Sequence, residues 1–231
     1  MPYSKTIVCL ANSRKLTGRC VAGKEWDGQK IGRWCRPVSA KDRGEISAER
    51  WYRRTWRDPQ LLDLIEVGLL RPRPSGFQTE NHLVDTSVRW RFAGRITAGQ
   101  LLPALDQPKG SLWVNGDSTV RGLNDRVPAV LAERESYSLV LVQPENLKIT
   151  VDTEGANRGN ARRRVRGHFS LDGYNYILAI TDPVVEKPIL SNADGFSTEL
   201  PNPILCISLS EKFDSQNACY KLIAGVIPVS P

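Results

Sequence analysis

Histidine is scarce in this chain of 231 residues, with only His82 and His168 present. A Ser-His-Asp or Cys-His arrangement needs a histidine beside its nucleophile, and no spacing joins either histidine to Cys9, Cys20 or Cys35. The five cysteines, which include Cys206 and Cys219, form no CxxC pair, so no zinc-ligand spacing arises. Lying mostly in apolar runs, they read as buried thiols. GxxxxGK(S/T) and GxGxxG patterns are missing, which leaves a phosphate-cradling nucleotide loop unsupported. No apolar run approaches the ~20 residues of a membrane helix. The first residues, MPYSKTIVCLANSRK, carry only a short apolar stretch, without an h-region or cleavage site. The expectation is a cytoplasmic protein without cofactor, metal or membrane.

Positive charge is abundant. The net charge is +7 and the pI about 9.3, which favours a polyanionic partner. Residues 1–135 hold 23 Lys and Arg against 15 Asp and Glu, a balance of +8; residues 136–231 hold 9 against 10, a balance of −1. The surplus is a property of the first part.

The clearest structural signal is Asn160–Pro183. Asp172-Gly173 lies between two runs rich in β-branched and aromatic residues, a strong hairpin signature. A two-residue loop there pairs Leu171 with Tyr174, Phe169 with Tyr176, Val165 with Ile180 and Arg163 with Asp182. Val165, Phe169, Leu171, Tyr174, Tyr176, Leu178 and Ile180 then share an apolar face. Arg164, Arg166, His168, Ser170, Asn175, Ile177, Ala179 and Thr181 share the other, which carries no acid. A solvated face explains such charges, and so does an anion-binding sheet.

Strand-like stretches recur on both sides. They are Lys5–Ala11, Gly18–Gly23, Gly32–Ala40, Leu61–Leu70, Phe77–Asp85 and Val88–Ile96, then Tyr137–Gln143, Leu147–Asp152, Ile204–Leu209 and Tyr220–Pro228. In Val88–Ile96, Arg89 and Arg91 alternate with Val88, Trp90 and Phe92. Ser47–Arg57 changes period: Ala48, Trp51, Tyr52, Thr55 and Trp56 fall on one side of a helix, and Arg50, Arg53, Arg54 and Arg57 on the other. The spacing predicts a short amphipathic helix with both tryptophans packed inward. Residues 97–135 are weakly patterned, and 187–203 read as a loop.

The charge shift and the pattern place a boundary near residue 135, with domains 1–135 and 136–231. The later part has the strand count of a small barrel such as the OB-fold. The halves echo each other: Trp34–Val38 and Ile180–Val184 both end a strand in polar-Pro-Val, and Leu61–Leu70 matches Ile204–Leu209 in place. The fold class is mainly β, as two tandem OB-like small β-barrels with a short amphipathic helix inserted in the first.

The stretches LTGRCVAGK, RWCRPVSA followed by GEIS, LLDLIEV, QTEN, LNDR, YILAITDP and YKLIAG, in that order and spacing, resemble the bacterial dual OB-containing domain family over nearly the whole chain. The resemblance implies two OB-like barrels in tandem, nucleic-acid binding and a prokaryotic (phage) defence setting. It brings no catalytic residues with it.

Single-strand binders combine a cationic groove with aromatics on which bases stack. Arg33, Trp34, Arg36, Arg50, Arg53, Arg54 and Arg57 offer such a set in the first domain, and Arg162, Arg164, Arg166 and His168 in the second. Gln78 and Asn81 are candidates for polar readout of a base edge. Two other readings stay open. The barrels could serve as an adaptor whose arginines meet an acidic protein partner. Alternatively, Asp63, Glu66, Glu80 and Asp85 could hold Mg²⁺ in a nuclease, although Asp63 and Glu66 would point to opposite faces of one strand.

Overall fold

The computed structural model describes residues 1–15, 17–41, 44–47, 50–52, 55–156 and 159–229. Its contacts divide the chain into two compact units, Met1–Ala104 and Leu105–Pro231.

The first unit contains β1 (Tyr3–Lys15), β2 (Gly18–Trp26), β3 (Ile31–Val38), β4 (Asp63–Pro72), β5 (Asn81–Val84) and β6 (Arg91–Arg95). β1 is long enough to serve two neighbours: residues 3–8 pair with β4 and residues 7–15 with β2. A register shift between Cys9 and Ala11 bends it, as a bulge does at a barrel corner. β3 and β5 run parallel, β5 pairs antiparallel with β4, and β4 returns to β1. The order β1-β2-β3-β5-β4 therefore closes into a five-stranded barrel. Alternation along β4 buries Asp63, Ile65, Val67 and Leu69 while Leu64 and Glu66 are half-exposed. The core gathers Ile7, Cys9, Val21, Cys35, Ile65, Val67, Leu69 and Trp90.

Closure forces backbones together at Gly23, where an added Cβ would stand 2.0 Å from the Val8 carbonyl oxygen. Because the obstacle is backbone, relief requires moving β1. Gly23→Ala is expected to lower stability by about 1–3 kcal/mol, the usual range for overpacking, read from the urea midpoint. An unchanged midpoint would show that the barrel gives way there.

The second unit contains β7 (Arg126–Pro128), α1 (Ala129–Ala132), β8 (Leu139–Val142), β9 (Asn146–Glu154), β10 (Arg162–Leu171), β11 (Tyr174–Ile180), α2 (Pro183–Leu190), β12 (Ser197–Pro201), β13 (Ile204–Leu209) and β14 (Ala218–Ile227). The sheet order is β12-β9-β10-β11-β14-β13-β8. β11 and β14 are parallel, as β3 and β5 are in the first unit. β8 pairs with β13 while β9 pairs with β10, so β8 and β9 together occupy the place of β1. The strand breaks at Gln143-Pro144-Glu145, where Pro144 has no N–H for a ladder. The echo between Leu61–Leu70 and Ile204–Leu209 corresponds to β4 and β13, the equivalent strands of the two topologies.

The hairpin forms in the expected register, with Leu171 opposite Tyr174 and Phe169 opposite Tyr176. Asp172 and Gly173 have φ of 49° and 77°, the positive pair a type I′ turn requires. Two elements overlap the segment read as a loop, α2 in its first residues and β12 wholly. α2 begins at Pro183, and the Asp182 carboxylate accepts from the Val184 N–H at 3.0 Å and the Val226 N–H at 3.1 Å, an N-cap that also ties the helix to β14. β12 exists because β9 offers it an edge, a partner that local sequence does not display.

Two expectations are corrected. The helix expected at 47–57 lies partly outside the described residues, which omit 48, 49, 53 and 54; of those described, Trp56 has a φ of 54°, outside helical geometry, and its N–H donates to the Tyr52 carbonyl at 2.9 Å. Tyr52 is buried, whereas Trp51 and Trp56 stand 36% and 59% exposed. Residues 105–135 also pack with the second unit. The Leu141 N–H donates to Asp106, the Leu112 N–H donates to the Tyr176 hydroxyl, and β7 pairs with β14.

Candidate nucleic-acid interface

The basic face of the hairpin carries Arg164, Arg166 and His168 as its register demands, but it is neither open nor free of acid. Residues 115–125 cross it, bridging Leu123 to Ile177 with hydrogen bonds of 3.2 and 3.0 Å. Asn124 donates to the Asn175 carbonyl at 2.9 Å. Next to it Asp125 is buried, taking the Thr119 N–H and hydroxyl at 2.7 and 2.6 Å. The crossing leaves two clefts. One of about 300 Å³ is lined by Arg121, Asp152, Glu154, Arg164, Arg166 and His168; the other, about 690 Å³, lies along the hairpin tip and Asn146.

Arg166 is 8% exposed. Its guanidinium meets Glu154 through two hydrogen bonds of 2.6 and 3.0 Å, and Asp125 at 3.2 Å. Those contacts consume a charge expected to face a ligand. Arg164 stays about half-exposed with Glu154 at 3.5 Å, and Arg162 is exposed with its Nε on Asn160 at 3.0 Å. His168 is half-buried against the Thr150 hydroxyl at 3.0 Å, and burial holds its pKa below the ordinary imidazole range. It is therefore neutral near pH 7 and adds no cation to the face.

In the first barrel Arg33 is exposed, and Trp34 is half-buried with the Lys24 ammonium 5.2 Å from its ring centroid. Arg36 is buried in a pair with Glu80 at 3.1 Å. Gln78 and Asn81 are buried and bonded to one another at 3.2 Å. Arg36, Arg166, Gln78 and Asn81 are thus corrected from candidate contacts to interior groups, because each is buried and engaged by side chains of the same chain. Arg50 binds Asp58 and the carbonyls of Ile46 and Ser47. Arg53 and Arg54 lie outside the described residues.

Arg57 belongs to a different construction. Asp63, fully buried, accepts from the Tyr52 hydroxyl at 2.8 Å, the Gln60 N–H at 3.0 Å, Arg57 at 3.1 Å and Arg95 at 2.8 Å. Both arginine side chains remain nearly half-exposed. The Arg57 guanidinium lies 5.4 Å from the Phe92 ring and 5.5 Å from the Tyr52 ring, and that of Arg89 lies 4.5 Å from the Trp56 ring.

The carboxylates proposed for Mg²⁺ are not brought together. Asp63 holds Arg57 and Arg95, Glu66 holds Arg91, Glu80 holds Arg36, and Asp85 caps the Ser87 N–H at 3.0 Å. Among the described residues no group of three or more His, Cys, Asp or Glu side chains could hold a metal ion.

The two strand orders now meet a comparison with known families, in which the model of the dual OB-containing domain matches residues 5–226. The chain belongs to the dual OB-containing domain family. No curated protein and no solved structure matches it. Among the described residues no helix of this dual OB protein is long and apolar enough to cross a membrane.

The surface that sequence reading of this dual OB protein undervalued is β6. The alternation in Val88–Ile96 was the available signal, but it grouped Phe92 with Trp90 as core. Trp90 is fully buried and Phe92 is 45% exposed, because β6 ends the sheet and pairs only with β4.

Proposed function

We propose that this dual OB protein is a non-enzymatic binder of single-stranded nucleic acid, with the first barrel supplying most of the electrostatic attraction. One observation carries the reading. Residues 1–104, the first compact unit, hold 19 Lys and Arg against 10 Asp and Glu, a balance of +9; residues 105–231 hold 13 against 15, a balance of −2. Arg33, Trp34 and Arg57 in the first barrel, with Arg162 and Arg164 in the second, are exposed or half-exposed members of the expected contact set among the described residues, as is the neutral His168. Phosphate contacts by arginine suit such a surface. OB-folds bind oligonucleotides on sheet and loop surfaces of this kind. Free thiols at all five cysteines fit a reducing cytoplasm, and a prokaryotic defence setting fits the family resemblance.

The test is fluorescence anisotropy with labelled single-stranded DNA and RNA and with duplexes. Neutralising about four phosphates predicts an affinity for single strands that drops roughly 30- to 100-fold between about 50 and 200 mM salt. Flat titrations with every nucleic acid at the lower salt would sink the reading.

A further inference from the structure

The outer edge of the first barrel combines features that the needs of the fold do not explain together. Arginines on an exposed edge strand are an ordinary guard against edge-to-edge pairing, which accounts for Arg91 and Arg95 on β6. The same guard does not account for two large aromatics in water beside them, Trp56 at 59% and Phe92 at 45% exposure. Trp56 is moreover held at a φ of 54°, a conformation uncommon for a bulky side chain.

Asp63 supplies the ordering. One carboxylate with no exposure fixes the guanidiniums of Arg57 and Arg95 at the surface, and Arg57 in turn lies over the rings of Tyr52 and Phe92. Tyr52 and Phe92 pack at 5.7 Å between centroids with a 55° tilt, so Phe92 is braced from beneath. Arg89 braces Trp56 in the same manner. Arg57 and Arg95 share the single carboxylate of Asp63, so this pair carries one positive charge in excess. Cations and ring faces at one edge match a ligand that has phosphates and unstacked bases together.

We propose that Trp56 and Phe92, framed by Arg57, Arg89 and Arg95, form a stacking platform for the bases of single-stranded nucleic acid, with Asp63 as the residue that positions the arginines. The proposal rests on the nucleic-acid reading above and places the base contacts on β6 and the β3–β4 connection. Duplex DNA is a poorer occupant, because its bases already stack on one another.

The experiment uses the full chain and two probes of equal charge: a thymidine oligonucleotide of about 15 nucleotides, within the span of one or two OB-folds, and an abasic strand of the same length. The wild type is expected to bind the thymidine strand at least tenfold more tightly than the abasic strand. Trp56→Ala/Phe92→Ala is expected to lose that preference, weakening thymidine binding roughly tenfold or more while leaving abasic binding within about threefold. Trp56→Phe, which keeps a ring, is expected to retain the preference, and circular dichroism melts establish that each variant is folded. Equal binding of both strands by the wild type, or an unchanged preference in the folded double variant, would overturn the platform and leave electrostatic binding standing. No binding of either strand would overturn both proposals. Polyglutamate bound as tightly as the thymidine strand, and lost equally in the double variant, would instead assign the surface to an acidic protein partner.

Discussion

Arg166→Ala is expected to lower the stability of the protein by roughly 3–5 kcal/mol. The arginine is buried between Glu154 and Asp125, and its removal leaves the buried Asp125 carboxylate without its cation and Glu154 with Arg164 alone. Asp125 also anchors Thr119 and, through its own carbonyl, receives the Lys221 N–H at 2.9 Å, so the 115–125 crossing loosens with it. Arg164, two positions away on the same face, is nearly half-exposed. Its replacement by alanine is expected to change stability by less than about 1 kcal/mol, as for other exposed ion pairs. Urea denaturation of both variants measures the contrast, and similar losses would contradict it. Loss of nucleic-acid binding after replacing Arg166 would consequently report damage to the fold, whereas Arg164→Glu probes the surface.

The stability of the protein is expected to rise with pH from 7 to about 8.5 and to fall again above about 9. Lys221 on β14 is fully buried, its ammonium donating to Asn115 Oδ1 at 2.6 Å and standing 5.4 Å from the Tyr176 ring. Burial pushes its pKa from 10.5 down to about 7, against the opposing pull of Asp125 and Glu135. Between those values the unfolded chain holds a proton that the folded chain has released. Folding therefore gains up to roughly 1.4 kcal/mol per pH unit in that window. Below pH 7 both states are protonated and the full penalty remains. The thiols act in the opposite sense: burial pushes Cys35 from 9.0 up to about 12 and Cys219 up to about 11. Above pH 9 the unfolded chain ionises them while the folded chain does not, and stability is lost. Lys221→Met should flatten the rise below pH 8.5 and leave the decline above 9. Parallel stability curves for the two proteins, from urea midpoints at several pH values, would refute the assignment.

The local signals that proved legible share a physical basis. A positive-φ pair flanked by alternating apolar residues can only be a hairpin, and its register fixes which side chains share a face. That is why Asp172-Gly173 placed Arg164, Arg166 and His168 together correctly. Facing the same way does not decide what a side chain meets, and Asp125, from more than forty positions earlier, took Arg166. The Ser47–Arg57 stretch misled for a related reason. Its apolar positions fall at helical spacing, but Asp63 draws the Tyr52 hydroxyl and Arg57 into one network, and Trp56 is left 59% exposed. Lys221 had a signal in principle, as the one charged residue in the apolar run YKLIAGVIP, though its proximity to Asn115 depends on where the 115–125 crossing packs.

By itself the sequence determined the class of fold, the hairpin and its register, the parallel fate of Leu61–Leu70 and Ile204–Leu209, and the concentration of positive charge toward the first part. These follow from side-chain periodicity, turn chemistry and a count of charges, which are local or additive. Only the tertiary structure decided where one compact unit ends and the next begins, since that depends on which strand β7 finds. It also decided which arginines are spent inside and which remain outside. An arginine's availability is set by whether a carboxylate from a distant segment arrives beside it. Asp125 and Glu80 bury Arg166 and Arg36, whereas Asp63 holds Arg57 and Arg95 at the surface beside exposed rings.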